Sequence, residues 1–171
     1  MYHHDLLSQA TRLARLDPGK PKQANLRRAV STAYYALFHF LVDQTCRMMI
    51  GTQQSQAPYR QVLGRAFAHG DMKSACNSFA GGTLKQSVSK GLPMGFVVPP
   101  EVRRIASVFV YLQAKRHDAD YDLTERFSRS GALLDIGNAE LVIKQFGGMA
   151  SSDEKKFFLA CLWAWKTLAV R

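Results

Sequence analysis

The stretch NLRRAVSTAYYALFHFLVDQTCRMMI, residues 25–50, contains neither glycine nor proline, and it predicts a long α-helix. Apolar residues recur along it at helical spacing and would form one wide face for burial. The residues of this face are Leu26, Ala29, Val30, Ala33, Leu37, Phe40 and Leu41. We expect this helix to be the spine of the fold.

The flanking sequence predicts further helices on both sides of this one. Tyr2–Leu16 has helical spacing and ends at the turn formed by residues 17–21. Tyr59–His69 and Met72–Phe79 are expected to be two shorter helices separated by Gly70. Glycine and proline are frequent after them, so Ala80–Pro100 is predicted to be an ordered loop.

Three more signals lie in the C-terminal half of the chain. Pro99 and Pro100 are expected to begin a helix that runs to about Tyr121. Proline is tolerated at this point because it lacks only an N–H group, and the N–H groups of the first turn have no helical partner. The next helix is predicted over Ser130–Phe146 and is expected to stop at Gly147 and Gly148. A capping box from Ser151 to Glu154 predicts the start of the last helix. No strand alternation is visible, so we predict an all-α helical bundle of up-down helices with a small inserted helical lobe.

Length and composition indicate a single domain over residues 1–171, with residues 51–100 as an inserted basic lobe and loop. The sequence is 47% hydrophobic and 21% charged, which excludes wholesale disorder. It lacks an apolar run of the roughly 18 residues that a membrane helix needs, so no membrane association and a cytoplasmic location are expected. Cys46, Cys76 and Cys161 are odd in number and widely spaced, and we expect them to be small buried side chains.

The charge balance points to an anionic partner. Lys and Arg number 23 against 13 Asp and Glu, a net charge of +10, and between Gly51 and Gly95 the only acidic residue is Asp71. Such a surplus attracts RNA, DNA, nucleotides or an acidic protein. A basic surface that serves only solubility is an equal alternative.

Four polar or amphipathic residues follow one another at four-residue steps on the long helix: Arg27, Ser31, Tyr35 and His39. Side chains at this spacing share one helix face, so the row predicts a seam that meets another polar group. The alternative is that Tyr34 and Tyr35 pack in the core and that His39 is a histidine with satisfied hydrogen bonds.

A second concentration of polar residues, KRHDADYD, occupies positions 115–122. Arg116 with Asp120 and His117 with Tyr121 are pairs four residues apart. They are either a surface ion pair and its neighbours or a phosphate-gripping arginine beside a proton-transferring histidine. The second interpretation predicts RNA cleavage.

The two segments LRRAVSTAYYALFHFL (26–41) and QAKRHDADYD (113–122) together resemble the HEPN superfamily of helical nucleotide-binding domains. The resemblance implies a helical bundle, a homodimer whose polar motifs face one cleft, and in many members a metal-independent ribonuclease. That activity uses an arginine followed, after four to six residues, by a histidine. Arg116 matches the arginine, but the fifth position after it is Tyr121, which leaves His117 and His39 as the candidate histidines.

The resemblance therefore implies a protein that binds RNA or a nucleotide, and an endoribonuclease of toxin or RNA-processing type is one form of it. The catalytic candidates are Arg116, His117 and His39, supported by Arg27, Ser31, Tyr35, Asp120 and Tyr121. The alternative is a non-catalytic, antitoxin-like dimeric subunit that binds another protein. No cofactor and no metal are expected, because Asp118, Asp120 and Asp122 lack the glycine and glutamate that complete a calcium loop.

Overall fold

A computed structural model describes residues 1–169 of the chain, and in these residues all regular structure is helical. The eight α-helices are α1 (Tyr2–Arg15), α2 (Gln23–Ile50), α3 (Ala57–Gly64), α4 (His69–Ala80), α5 (Gln86–Ser89), α6 (Pro100–Tyr121), α7 (Arg129–Gly148) and α8 (Asp153–Leu168). A single 3₁₀ turn at Gln54–Gln56 precedes α3. The all-α prediction is confirmed. No helix in the described part of the chain combines the length and apolar character needed to cross a bilayer.

The chain divides into two compact units, and α2 and α6 each have residues in both. The first unit comprises Met1–Phe40 and Val108–Gly147. Its core includes Tyr34, whose ring centroid lies 5.4 Å from that of Phe109, a residue of α6. Phe40 and Phe146 meet edge to face at 6.2 Å. Large aromatic rings therefore join α2 to both α6 and α7 inside this unit.

The second unit comprises Leu41–Ser107 and Gly148–Arg171. Here α4 packs against α8, and Phe79 is fully buried in contact with Phe157, Phe158 and Trp165. The predicted basic lobe, residues 51–100, belongs to this unit. The single domain predicted over residues 1–171 stays a prediction, and its last two residues lie outside the described part.

Several predicted boundaries need correction. Gly70 does not separate two helices but lies in the first turn of α4; the break falls at residues 65–68, where buried Phe67 anchors the chain. Gly147 and Gly148 are likewise the last residues of α7 rather than its stop.

The cap of α8 is one residue later than predicted. Ser152, not Ser151, is the N-cap, and its Oγ accepts a hydrogen bond from the Lys155 amide at 3.2 Å. This satisfies one of the four free amides that begin a helix. The predicted burial of the three cysteines is confirmed.

Gly51 is expected to be essential to the end of α2. Its φ of +102° lies in the left-handed region, and a Cβ there would sit 2.5 Å from Gln56 Oε1. Gly51→Ala should therefore lower the free energy of unfolding by about 1 to 2 kcal/mol in urea titrations. Gly19→Ala is the matched control: nothing lies within 4 Å of its added Cβ, so its stability should stay within about 0.5 kcal/mol of wild type. Equal midpoints for the two variants would contradict this account.

Candidate functional site

The end of α6 is held by Arg27, a residue in the first turns of α2. Its Nη1 donates to the carbonyls of Asp118 and Ala119 at 3.3 and 2.9 Å. Its Nη2 donates to the carbonyls of Asp122 and Glu125 at 2.8 and 2.6 Å. The last carbonyls of a helix have no helical partner and carry partial negative charge. Arg27 is therefore committed to backbone acceptors, and it is not a free ligand for an anion.

Gln23, one turn before Arg27, pairs with the segment that follows α6. Its side-chain amide donates to the Phe127 carbonyl and accepts from the Phe127 amide, both at 2.9 Å. The guanidinium of Arg27 also lies 5.5 Å from the centre of the Phe127 ring. Two side chains of α2 thus fix the backbone from Asp118 to Phe127.

Arg116 lies on the last turns of α6, where aromatic rings surround its guanidinium. The guanidinium carbon is 5.6 Å from the centre of the Tyr34 ring and 5.9 Å from that of Tyr121. Nη1 pairs with Asp120 Oδ2 at 3.2 Å, and the side chain is 15% exposed. Nε is buried and has no hydrogen-bond partner among the described residues. The guanidinium is oriented by two rings but satisfied by a single carboxylate.

His117, next to Arg116 in sequence, is exposed and lies against the ring of Tyr121. The two ring centroids are 5.0 Å apart. Adjacent residues on a helix diverge by about 100°, but α6 ends at Tyr121, and this one ring contacts both side chains. The structure thus groups Arg116, His117, Asp120 and Tyr121 around the helix end.

His39 has its own aromatic neighbours, Tyr35 and Tyr2. Its ring stacks on Tyr35 at 6.3 Å and meets Tyr2 edge to face at 5.0 Å. Burial lowers the pKa of His39, since its environment disfavours the imidazolium form. Among the described residues, His39 does not contact Arg116 directly, and the rings of Tyr35 and Tyr34 lie between them.

The four-residue row on α2 is consequently not one continuous seam. Arg27 caps α6, and Tyr35 and His39 stack on each other. Ser31 is fully buried, and its Oγ has no hydrogen-bond partner in the part of the chain that the structure describes. In this row, Arg27 supplies structural contacts, and Tyr35 and His39 form an aromatic surface.

Acidic groups offset much of the positive charge at the end of α6. The hydroxyl and the amide of Thr124 donate to Asp122 Oδ1 at 2.6 and 2.9 Å and hold the pKa of that carboxyl below its usual value. Lys115 approaches Glu125 at 3.7 Å. Among residues 1–169, no group of three or more His, Cys, Asp and Glu side chains is placed to hold a metal ion. An anion would meet a site of mixed charge, in which arginine is the strongest donor.

The sequence motifs did not reveal a polar contact between α6 and α7. Tyr111 Oη donates to Asp135 Oδ1 at 2.9 Å, and Asp135 is buried. Burial raises the pKa of both groups, that of Tyr111 to about 12 with a further contribution from the carboxyl. An aspartate within the apolar run LLDI was the available signal in the sequence.

Arg27→Ala should destabilise the protein strongly, because it removes the side-chain donor of the Ala119, Asp122 and Glu125 carbonyls; the Asp118 carbonyl still accepts from the Asp122 amide. We expect a loss of about 2 to 3 kcal/mol in the free energy of unfolding, measured by urea titration. Arg28→Ala removes the same charge from the next position, which is exposed, and should change stability by less than about 0.5 kcal/mol. Equal losses in the two variants would mean that charge, rather than capping, explains the effect.

No protein-family model, curated protein or solved structure matches this chain. The chemistry open to the site therefore follows from its own residues.

Proposed function

We propose that this chain is a HEPN-like protein that binds RNA at the end of α6, with Arg116 as the phosphate ligand. The observation that carries the proposal is the state of the Arg116 guanidinium, which two tyrosine rings orient but only Asp120 satisfies. A guanidinium binds a phosphate through two parallel hydrogen bonds. Arg116 has the donors for this geometry.

The Asp120 carboxylate is an exchangeable partner for Arg116. A partly exposed ion pair on one helix contributes about 0 to 1 kcal/mol, so an RNA phosphate can displace it at little cost. Asp120 then occupies the place of a phosphate and keeps the guanidinium oriented while no RNA is bound.

The rings of Tyr121 and His117 add a surface on which a base can stack. Tyr121 is 66% exposed, and its ring lies beside both Arg116 and His117. A base stacked on an aromatic side chain gains about 1 to 3 kcal/mol, largely independent of sequence. This places phosphate recognition and base stacking next to each other.

The remaining positive charge supports attraction of RNA over a longer range. The first compact unit contains 11 Lys and Arg against 8 Asp and Glu, and the second contains 12 against 5. Basic charge of this size produces affinity that decreases steeply with ionic strength.

Metal-independent cleavage would need a proton-transferring group within hydrogen-bond reach of the RNA 2′-hydroxyl. His117 is the better candidate because it shares the Tyr121 ring with Arg116, whereas His39 contacts Tyr2 and Tyr35. Binding therefore has more support than cleavage, and we treat nuclease activity as the extension of the proposal that depends on His117.

Arg116→Ala should weaken binding of a single-stranded RNA about tenfold or more, as measured by fluorescence anisotropy, and should reduce the salt dependence by about one phosphate contact. Arg126→Ala is the matched control, since Arg126 is exposed and carries the same charge. Tyr121→Ala should also weaken binding, whereas Tyr59→Ala, with an equally exposed ring, should not.

Incubation of RNA with the wild type and with two histidine variants in EDTA tests cleavage. Cleavage should be abolished in His117→Ala and retained in His39→Ala.

Equal RNA affinity for Arg116→Ala and Arg126→Ala would overturn the proposed site. Binding without cleavage by the wild type would limit the function to RNA binding.

A second candidate function, a non-catalytic dimeric subunit, is favoured by the outer face of α7. Leu134 and Leu141 are 63% and 39% exposed on this face, and Gly137 lies between them with nothing within 4 Å of an added Cβ. A mid-helix glycine costs about 1 kcal/mol relative to alanine. A second helix could approach closely at this point and cover both leucines.

If α7 is a dimer interface, Leu134→Glu should convert the protein to a monomer in light scattering at high micromolar concentration. Leu123→Glu is the control, because Leu123 is also exposed but lies outside α7. A wild-type monomer at this concentration would remove the candidate.

A further inference from the structure

Two large apolar side chains project from the loop between α5 and α6, in the second compact unit. Met94 is 104% exposed and Val97 is 72% exposed, so most of each side chain meets solvent. Single exposed apolar residues are ordinary on a protein surface. Here two lie three positions apart, and residues 91–100 contain no charged side chain. The tip of this loop, residues 93–97, is therefore apolar and uncharged.

A hydrogen-bonded turn defines the conformation of the tip. The Phe96 amide donates to the Pro93 carbonyl at 3.1 Å, which places Met94 and Gly95 at the two central positions of the turn. Gly95 has a φ of +85°, in the left-handed region that favours glycine. Met94 therefore lies at the apex of the turn.

Apolar contacts anchor the loop on both sides of the tip. Val98, which follows the tip, is buried, and so are Leu84 and Val88 in the segment that precedes it. The Phe96 ring meets that of Phe157, a residue of α8, edge to face at 5.8 Å. Residues around Met94 and Val97 are thus packed, while these two side chains stay outside the core.

Lysines precede the tip, and no carboxylate accompanies them. Lys85 and Lys90 are exposed, and with Lys73 they are the only charged residues between Asp71 and Glu101. An apolar segment beside lysines binds anionic lipid through two additive effects, burial of apolar area and attraction to the headgroup charge. The loop has both components.

We propose that the tip inserts into the headgroup region of an anionic phospholipid membrane. Met94 and Val97 enter the boundary between headgroups and acyl chains, and Lys85 and Lys90 bind the headgroup phosphates. A projecting tip fits another protein only where that protein has a matching cavity. The fluid headgroup region of a bilayer accepts the tip without a preformed site.

The chemistry of the tip distinguishes it from the proposed RNA site. The thioether of Met94 and the isopropyl group of Val97 offer no ring on which a base could stack and no hydrogen-bond donor. The expectation of no membrane association rested on the lack of a segment that could cross a bilayer. A loop that enters only the headgroup region needs no such segment. The proposal does not depend on RNA binding by Arg116.

Vesicle sedimentation is the first test, with vesicles of phosphatidylcholine alone and of phosphatidylcholine mixed with phosphatidylglycerol. Wild type should bind the anionic vesicles and not the neutral ones. Met94→Ser keeps the net charge and should weaken binding about tenfold, since it removes apolar area that insertion buries. Leu123→Ser is the matched control, because Leu123 is 84% exposed and lies in the first compact unit. Its affinity should stay within about twofold of wild type.

A pair of double variants tests the contribution of the lysines. Lys85→Gln combined with Lys90→Gln should weaken binding to anionic vesicles about tenfold. Lys20→Gln combined with Lys22→Gln removes the same charge from exposed positions of the first unit and should weaken it by about twofold at most.

A fluorescent label measures insertion directly. Met94→Cys adds an exposed thiol to a chain whose Cys46, Cys76 and Cys161 are buried, so an environment-sensitive dye should attach at position 94. Its emission should shift to shorter wavelength on anionic vesicles. The same dye attached through Leu123→Cys should show no shift.

Equal vesicle affinities of wild type and Met94→Ser would show that net charge alone drives binding, and this result would overturn the proposal. Absence of binding to anionic vesicles would do the same, as would unchanged emission of the dye at position 94. RNA affinity should be equal in Met94→Ser and wild type. A loss of RNA affinity in Met94→Ser would assign the tip to nucleic acid and exclude the lipid assignment.

Discussion

Four backbone carbonyls at and beyond the end of α6 converge on one guanidinium, that of Arg27. Without this donor, the carbonyls of Ala119, Asp122 and Glu125 would need water as a hydrogen-bond partner. Because Arg27 and Gln23 fix this backbone from α2, the last turn of α6 holds a defined position within its unit. The orientation of Arg116, His117 and Tyr121 depends on it.

Capping by arginine recurs in this protein and changes the meaning of its net charge. Arg60 donates to the carbonyls of Gly51 and Gln53 at the end of α2, and Arg129 donates to those of Asp17 and Gly19 after α1. An arginine bound to backbone carbonyls still contributes to the long-range field, but the Nη groups that bind those carbonyls are occupied. The excess of basic residues therefore overstates the number of groups that can grip a phosphate.

Arg116 differs from these capping arginines in a way that bears on function. Arg116 is oriented by the rings of Tyr34 and Tyr121 and paired with one exchangeable carboxylate. The protein thus restricts this guanidinium while leaving its Nε without a hydrogen-bond partner among the described residues, which lowers the entropic cost of binding an anion.

The helical fold class and most helix boundaries could be predicted from the sequence, because helical spacing and the helix-breaking effect of proline and glycine act over a few residues. Residues 25–50 and 100–121 are helical as predicted. Two local predictions were wrong: Gly70 lies inside α4, and the N-cap of α8 is Ser152 instead of Ser151. The sequence also identified Arg116, His117, Asp120 and Tyr121 as one group, since all four lie within two turns of helix. The tertiary structure was needed to show that Arg27 caps α6, that His39 contacts Tyr2, and that Tyr111 pairs with Asp135. The contacts of Arg27 with Glu125, His39 with Tyr2 and Tyr111 with Asp135 join residues 24 to 98 positions apart, and their partners are set by packing, which no local spacing encodes.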